Sequence, residues 1–376
     1  MTGRAEVAIV GLGAAGSAAA LTLARRGRRV IGFDRFHPPH IHGSTHGRSR
    51  IIREAYYESP AYVPLVRRAY ELWHDLERDS GRTLLTQTGG LMLGPAGGEL
   101  VDGARRSAEL HGIPWELLDA AAVRRRFPAF RPDADAVAVL EQRAGFLDPE
   151  ACLESCLTLA AGAGATLRFD TLVDRWECTG DGIRLHITGG TVECDRLILA
   201  AGAWMGGLMG GTPLPLTVTR QVMYWFRPKE GVPHFGVGQL PVFIWEWEAG
   251  RMIYGFPDHG AGFKVARHHE GPTVNANVAD RTVSPAEIAE MREILRRCFP
   301  EADGEPVDAT TCLYTNTPDH HFVLGAHPDE PRVILASPCS GHGFKFATAI
   351  GEVLADLATT GQSSFDLSPF SPSRFG

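Results

Sequence analysis

Of the 37 basic residues in this 376-residue chain, 34 are arginine and three are lysine: Lys229, Lys264 and Lys345. Arginine stays charged in proteins, whereas an ammonium is a compact charge whose pKa burial can tune. Each remaining lysine is therefore a candidate for chemistry that a guanidinium cannot do, set against survival by chance. A second group is Gly11-Leu-Gly13-Ala-Ala-Gly16, followed 18 residues later by Asp34. In a G-x-G-x-x-G turn the first glycine permits the tight bend, the second lets a pyrophosphate approach the backbone, and the third lets helix and strand pack closely. An acid at Asp34 accepts from a ribose hydroxyl and repels a 2′-phosphate, which leaves NAD and FAD as the open choice. A third group, residues 37–53, crowds four histidines and three arginines. Its prolines and glycines set no helix face, and no nearby carboxylate pair or cysteine completes a metal set. The loop reads better as a lining for the reacting end of a cofactor. Arg50 and Arg53 are then available to an anionic substrate, or else to surface ion pairs.

The elements that must position these groups follow from hydrophobic period and turn residues. Glu6 to Val10 reads as a buried strand, Ala14 to Arg26 as a helix and Val30 to Phe33 as a second strand, which together form a βαβ unit with the glycine turn at a helix N-terminus, where anions are favoured. Helices are expected over Tyr62 to Asp75, in two pieces over Arg105 to Arg126, and over Pro149 to Ala161. Gly89 to Leu93 reads as a strand. Alternating runs at Thr166 to Phe169, Val173 to Cys178, Ile183 to Ile187 and Thr191 to Cys194 predict antiparallel strands. Arg196 to Trp204 gives a buried strand ending in small residues that allow a cofactor close. Mixed strands are expected over Thr217 to Phe226 and Val242 to Phe256, with a helix over Pro285 to Cys298. The last unit is a strand from Val333 to Ser337, a turn at Ser340-Gly-His-Gly343 and a helix over Lys345 to Ala358.

Composition narrows the class. With 44% hydrophobic and 22% charged residues the chain is in the globular range, and its length fits two or three lobes. A net charge of −7 gives no electrostatic reason for a nucleic acid or anionic membrane partner. No apolar run approaches the roughly 20 residues of a membrane span. Seven cysteines, with no C-x-x-C pair, argue for a reducing compartment; Cys152 and Cys156, at i, i+4, read as buried apolar residues. The expected location is the cytoplasm.

Five segments together carry a resemblance. Gly11-x-Gly13-x-x-Gly16 with Asp34, Ser44-Thr-His-Gly-Arg-Ser-Arg-Ile-Ile-Arg53, Leu197-Ile-Leu-Ala-Ala-Gly-Ala-Trp204, Cys312-Leu-Tyr314-Thr and Ser340-Gly-His-Gly-Phe-Lys345-Phe occur in order across nearly the whole chain. They resemble the monomeric sarcosine oxidase and N-methyltryptophan oxidase family, within the D-amino-acid oxidase superfamily of flavoenzymes. The resemblance implies FAD as the dinucleotide and an α/β fold with an α+β second lobe. A discontinuous Rossmann-like FAD domain would take residues 1–88, 145–215 and 310–376, and a mixed-sheet substrate domain residues 89–144 and 216–309. It also implies a monomer that oxidises secondary amino acids with O2, releasing formaldehyde, the demethylated amino acid and H2O2.

Carried over residue by residue, the resemblance implies a thioether from Cys312 to the flavin 8α-methyl, with Cys339 as rival. Gly11, Gly13, Gly16, Asp34, Ser44, Thr45, Gly202, Gly341 and Gly343 belong to the cofactor site. Arg50 packs on the flavin face, and Arg53 and Lys345 clamp the substrate carboxylate so that its N-methyl carbon lies over flavin N5. Lys264 serves oxygen activation, reaching N5 through water. His268 and Tyr254 match active-site positions, and Tyr314 and Glu58 pocket positions. The helix beginning near Lys345 directs its positive end at the flavin pyrimidine. Lys229, in Arg-Pro-Lys-Glu-Gly, has no role and reads as an exposed turn. Phe243-Ile-Trp-Glu-Trp247 and Tyr224-Trp225 are candidates for shaping the substrate pocket. Three other functions stay open at this level: an oxidase of cyclic amino acids such as pipecolate or proline, a flavin dehydrogenase with another acceptor, and a flavin-binding protein without catalysis.

Overall fold

Period-two runs and glycine turns build two large sheets, with helices laid against the first. The computed structural model describes residues 4–211 and 214–376. The first sheet runs in the order Val173–Cys178, Ile183–Ile187, Gly190–Leu199, Ala5–Val10, Val30–Phe33, Thr166–Arg168. Glu330–Ser337 pairs in parallel with Leu197 to Leu199, and Val323–His327 pairs antiparallel with it. Its central strands are buried on both faces and so read as continuous apolar runs. Helix Ala14–Arg25 is wedged between Pro149–Gly162 and Ala347–Thr360. The approach to the latter is close: a Cβ at Gly351 would meet the Ala18 carbonyl carbon at 2.6 Å.

The second sheet is ordered Pro306–Asn316, Thr217–Phe226, Phe263–His268, Arg251–Phe256, Val242–Glu248, Gly90–Pro95, Ala136–Glu141, Trp115–Asp119. Behind it lies an aromatic core of Phe130, Phe243, Trp245, Phe263 and Phe299. A small third sheet pairs Gly145–Leu147 with Arg50–Ile52 and Leu85–Gln87, and so ties the arginine segment in place.

Several expectations are corrected. The region expected as a helix in two pieces holds a strand: Glu99–His111 is helical, Trp115–Asp119 pairs antiparallel with Ala136–Glu141, and Ala120–Arg126 is helical again. Pro114 ends the helical option, and the edge of the second sheet supplies the hydrogen bonds. Thr166–Arg168 is parallel to Val30–Phe33, because it follows a crossover helix rather than a hairpin turn. Gly190–Leu199 is one strand, antiparallel to its neighbour in its first half and parallel to others in its second. Val242 to Phe256 is a hairpin of two strands. Lys345 sits in a single 3-10 turn, Phe344–Phe346, ahead of the helix Ala347–Thr360. Among the described residues no helix is long and apolar enough to cross a membrane.

Candidate active site

One cavity of about 580 Å³ runs from the glycine turn to the arginine segment. At one end the chain bends at Gly11 (φ +94°), whose N–H donates to the Phe33 carbonyl at 2.8 Å. A Cβ on Gly16 would lie 1.8 Å from the Gly11 oxygen, so only glycine lets the helix start here. A Cβ on Gly13 would meet nothing nearer than Thr45 Oγ1 at 3.4 Å. That glycine therefore leaves space in the cavity wall instead of relieving a clash. Thr45 Oγ1 also accepts from Ala14 N–H at 3.3 Å. Asp34 accepts from Leu12 N–H (2.9 Å) and Phe36 N–H (3.0 Å), which fixes its carboxylate at the cavity edge.

The histidine-rich loop divides. His40 lies beside Asp34 (3.6 Å), and His42 stacks on Phe36. The stretch from Gly47 onward approaches the opposite end. The expectation that the whole loop lines the reacting end is thus corrected: cis-linked Pro38-Pro39 and the His40 turn stay with the nucleotide acid. Among the described residues no group of three or more His, Cys, Asp or Glu side chains is placed to hold a metal ion.

At the other end Arg50 donates to the Ser44 and Ser49 carbonyls, both at 2.9 Å, and its Nη2 lies 3.7 Å from Cys312 Sγ. Ser44 Oγ donates in turn to the Leu313 carbonyl, next to Cys312. Cys312 is buried and faces the cavity; Cys339 also reaches it, with burial pushing its thiol up to about 11. Gly202 (φ +54°), Gly341 and Gly343 border the same space. A Cβ on Gly341 would meet the Tyr314 ring at 2.5 Å, and one on Gly343 the Pro338 oxygen at 1.6 Å.

Beyond Arg50 the cavity is lined by two cations and a polar aromatic wall. Arg53, 1% exposed, holds Glu58 through two bonds from Nη2 (2.7 and 2.9 Å) and donates from Nη1 to the Ala55 carbonyl at 2.9 Å; its buried Nε has no partner. The segment is fixed from behind by Glu141, whose buried carboxylate accepts from the N–H groups of Glu54 and Ala55, each at 2.8 Å. Burial pushes the Glu141 carboxyl up to about 7. Lys345 faces the cavity and donates to the His342 carbonyl at 2.7 Å. Burial and then Arg53 lower its pKa to about 7, opposed by Glu58. The same cavity is lined by His268, Tyr314 and Tyr254, linked by contacts of 3.4 and 3.5 Å. Burial holds His268 well below its usual range, so it is neutral.

Lys264 is fully buried. Its ammonium lies behind the Gly47–Ser49 turn and donates to the Gly47 carbonyl (2.6 Å), the Ser49 carbonyl (2.8 Å) and Ser49 Oγ (3.3 Å), over the Phe256 ring. Burial, followed by Arg50, drives its pKa well below normal. The aromatic stretches are corrected. Tyr224, Trp225, Phe243 and Trp245 are buried away from the cavity, and only Ile244 of residues 243–247 reaches it. Strand alternation sends Phe243 and Trp245 to the opposite face, onto Phe130 and Phe299. Two residues beside Lys345 had no separate sequence signal: Tyr56, inside an ordinary Ala-Tyr-Tyr-Glu stretch, and His342, hidden between the glycines of its turn.

Residues 6–357 match the family described as FAD dependent oxidoreductase, DAO. The chain belongs to this family. The cavity fits the cofactor: a glycine turn with an open backbone wall, a helix N-terminus and a fixed carboxylate lie at one end, with cations at the other. The chain is 43% identical over 373 residues to the monomeric sarcosine oxidase of Streptomyces avermitilis, covering 98% of this chain and 97% of that one. It is 34% identical over 376 residues to the N-methyl-L-tryptophan oxidase of Escherichia coli O157:H7, covering 98% and 99%. Among solved structures it resembles NikD, an unusual amino acid oxidase of nikkomycin biosynthesis, with TM-score 0.86 and 25% identity over 99% of this chain and 98% of NikD. L-proline dehydrogenase from P. horikoshii shares the fold at TM-score 0.86 and 21% identity, over 100% and 98%.

Proposed function

We propose that this protein is an FAD oxidase of secondary, N-methyl amino acids. The observation that carries the reading is the cation pair Arg53 and Lys345, buried at the end of the cavity that begins at the glycine turn. The relatives named as oxidases of sarcosine and N-methyltryptophan support the same class. Bound FAD supplies the two-electron acceptor for the amine and passes those electrons to O2, giving H2O2.

The chain's own residues do the rest. Arg53 binds one carboxylate oxygen through N–H groups that Glu58 does not use, and Lys345 binds the other as a point charge. Fixing the carboxylate orients the amine and its methyl carbon, which is most of what this oxidation needs from a protein. Neutral His268 with Tyr254 and Tyr314 faces the amine without adding positive charge, so a neutral amine is tolerated there. Gly11, Gly13 and Gly16 with Thr45 would hold the pyrophosphate, and Asp34 the ribose. Ser44, Gly202, Gly341 and Gly343 would border the ring system. Arg50 and Cys312 would hold the ring, Cys312 being the proposed point of covalent attachment. Lys264, behind Ser49, supplies the positive field for O2 reduction.

An oxygen-electrode screen with a peroxide assay tests the reading. Sarcosine, N-methyltryptophan, pipecolate, proline and glycine are compared at saturating concentration. Uptake with an N-methyl amino acid, abolished in Arg53→Leu, supports it; turnover of the cyclic or primary amino acids alone rejects it.

A further inference from the structure

Behind Lys345, hydrogen bonds lead away from the cavity in a fixed order. His342 Nε2 lies 3.0 Å from the His320 carbonyl, which can only accept, so Nε2 carries the proton. His342 Nδ1 is then an acceptor, and Tyr56 Oη, 2.6 Å away, donates its single proton to it rather than to the more distant His342 carbonyl at 3.4 Å. The Tyr56 oxygen is left with lone pairs toward Lys345 Nζ, 3.4 Å away, and the Tyr56 ring centroid lies 5.2 Å from the same ammonium. Tyr56 is fully buried, and His342 is 7% exposed and stacked on Phe322. Neither side chain can turn to solvent for other partners.

The direction of this chain matters because Lys345 is in a contested field. Arg53 opposes its charge, Glu58 supports it, and neutral His268 lines the same cavity. Burial pushes His342 down to about 3, so it stays a neutral acceptor. Of the three ammonium hydrogens, one is taken by the His342 carbonyl and one is drawn toward Tyr56 Oη. The third is left for the cavity.

We propose that Tyr56 and His342 are positioning residues for substrate binding: His342 takes the Tyr56 proton so that toward Lys345 the hydroxyl can only accept, and this keeps Lys345 charged and aimed at the substrate carboxylate. The inference rests on the reading of Arg53 and Lys345 as the carboxylate site. If the hydroxyl were free to turn, its proton would face the ammonium and favour the neutral amine.

The test is calorimetric titration of the holoenzyme with methoxyacetate, a carboxylate that lacks the amine, from pH 6 to pH 10. Wild-type affinity is expected to fall as pH rises through the Lys345 titration, and Lys345→Met to lose that limb, which assigns it. Tyr56→Phe removes the lone pair but keeps the ring, and His342→Leu takes away the 2.6 Å acceptor, leaving the hydroxyl only the backbone carbonyl of residue 342 at 3.4 Å. Both are expected to move the midpoint down by about one pH unit, a roughly tenfold weaker affinity above it. His342→Asn restores an acceptor near the Nδ1 position and is expected to return the midpoint toward the wild type. Should His342→Leu fail to fold, Tyr56→Phe with His342→Asn decides. Wild-type binding with an unmoved midpoint in Tyr56→Phe, or an equal loss of affinity at every pH, overturns the proposal and leaves the carboxylate site intact. Absence of wild-type carboxylate binding overturns the site reading itself.

Discussion

Two glycines of one turn are expected to fail in different ways when each becomes alanine. At Gly16 the new Cβ would lie 1.8 Å from the Gly11 oxygen, whereas carbon–oxygen contacts normally begin near about 3.3 Å. The helix and turn must therefore part by roughly 1.5 Å. The helix has little freedom to move, being wedged between Pro149–Gly162 and Ala347–Thr360. Overpacking of this kind costs about 1–3 kcal/mol, and backbone on both sides argues for the upper end. At about 1.3 °C per kcal/mol for a chain of this size, the apoprotein Tm should fall by roughly 4 °C. At Gly13 the backbone (φ −69°, ψ −161°) is open to alanine, and the nearest atom is 3.4 Å away. Apoprotein stability should change by less than about 1 kcal/mol. The methyl nevertheless projects where the pyrophosphate must approach, so FAD affinity should fall about 10- to 100-fold, which is about 1.4–2.7 kcal/mol. The assay is thermal denaturation of apoprotein and fluorescence titration with FAD, both in a Cys312→Ser background so that binding is reversible. Wild-type FAD affinity in Gly13→Ala, or an unchanged apoprotein Tm in Gly16→Ala, refutes the reasoning.

Three further outcomes follow from the same geometry. After acid precipitation the yellow colour should stay with the wild-type protein and pass to the supernatant in Cys312→Ser; colour released from the wild type refutes attachment. Lys345→Met removes a charge-assisted bond of about 1.5–3 kcal/mol, so kcat/KM for an N-methyl amino acid should fall roughly 10- to 150-fold, and an unchanged value would exclude Lys345 from the carboxylate. Glu141 has a folded pKa raised to about 7 from 4.5. Its protonated form is therefore favoured by folding, and its contribution is present in full below pH 4.5 and lost as pH rises through 7. Glu141→Gln should flatten that part of the stability profile in denaturant titrations, and an identical slope in the variant would exclude it.

The parts of the site legible in sequence are those where one residue type is forced by backbone or charge. The glycine turn is one: Gly11 and Gly16 are required by a positive φ and a steric limit, and Asp34 follows at the end of the second strand. Lys264 and Lys345 stood out because arginine had replaced lysine nearly everywhere else. What sequence left hidden depends on partners far along the chain. Trp115–Asp119 became a strand because Ala136–Glu141 was there to pair with it. Cavity aromatics were misjudged because alternation says that Phe243 and Ile244 face opposite ways but not which way the cavity lies. Tyr56 and His342 are 286 residues apart and acquire meaning only through the 2.6 Å bond between them.

The central claim is that an N-methyl carbon is oxidised and that O2 receives the electrons. It is tested most directly by measuring O2 consumed, H2O2 formed and formaldehyde released in one reaction with sarcosine or N-methyltryptophan. The expected result is one mole of peroxide and one of formaldehyde per mole of O2. Oxygen uptake without formaldehyde would place oxidation at another carbon, and formaldehyde without oxygen uptake would make the protein a dehydrogenase; either contradicts the account.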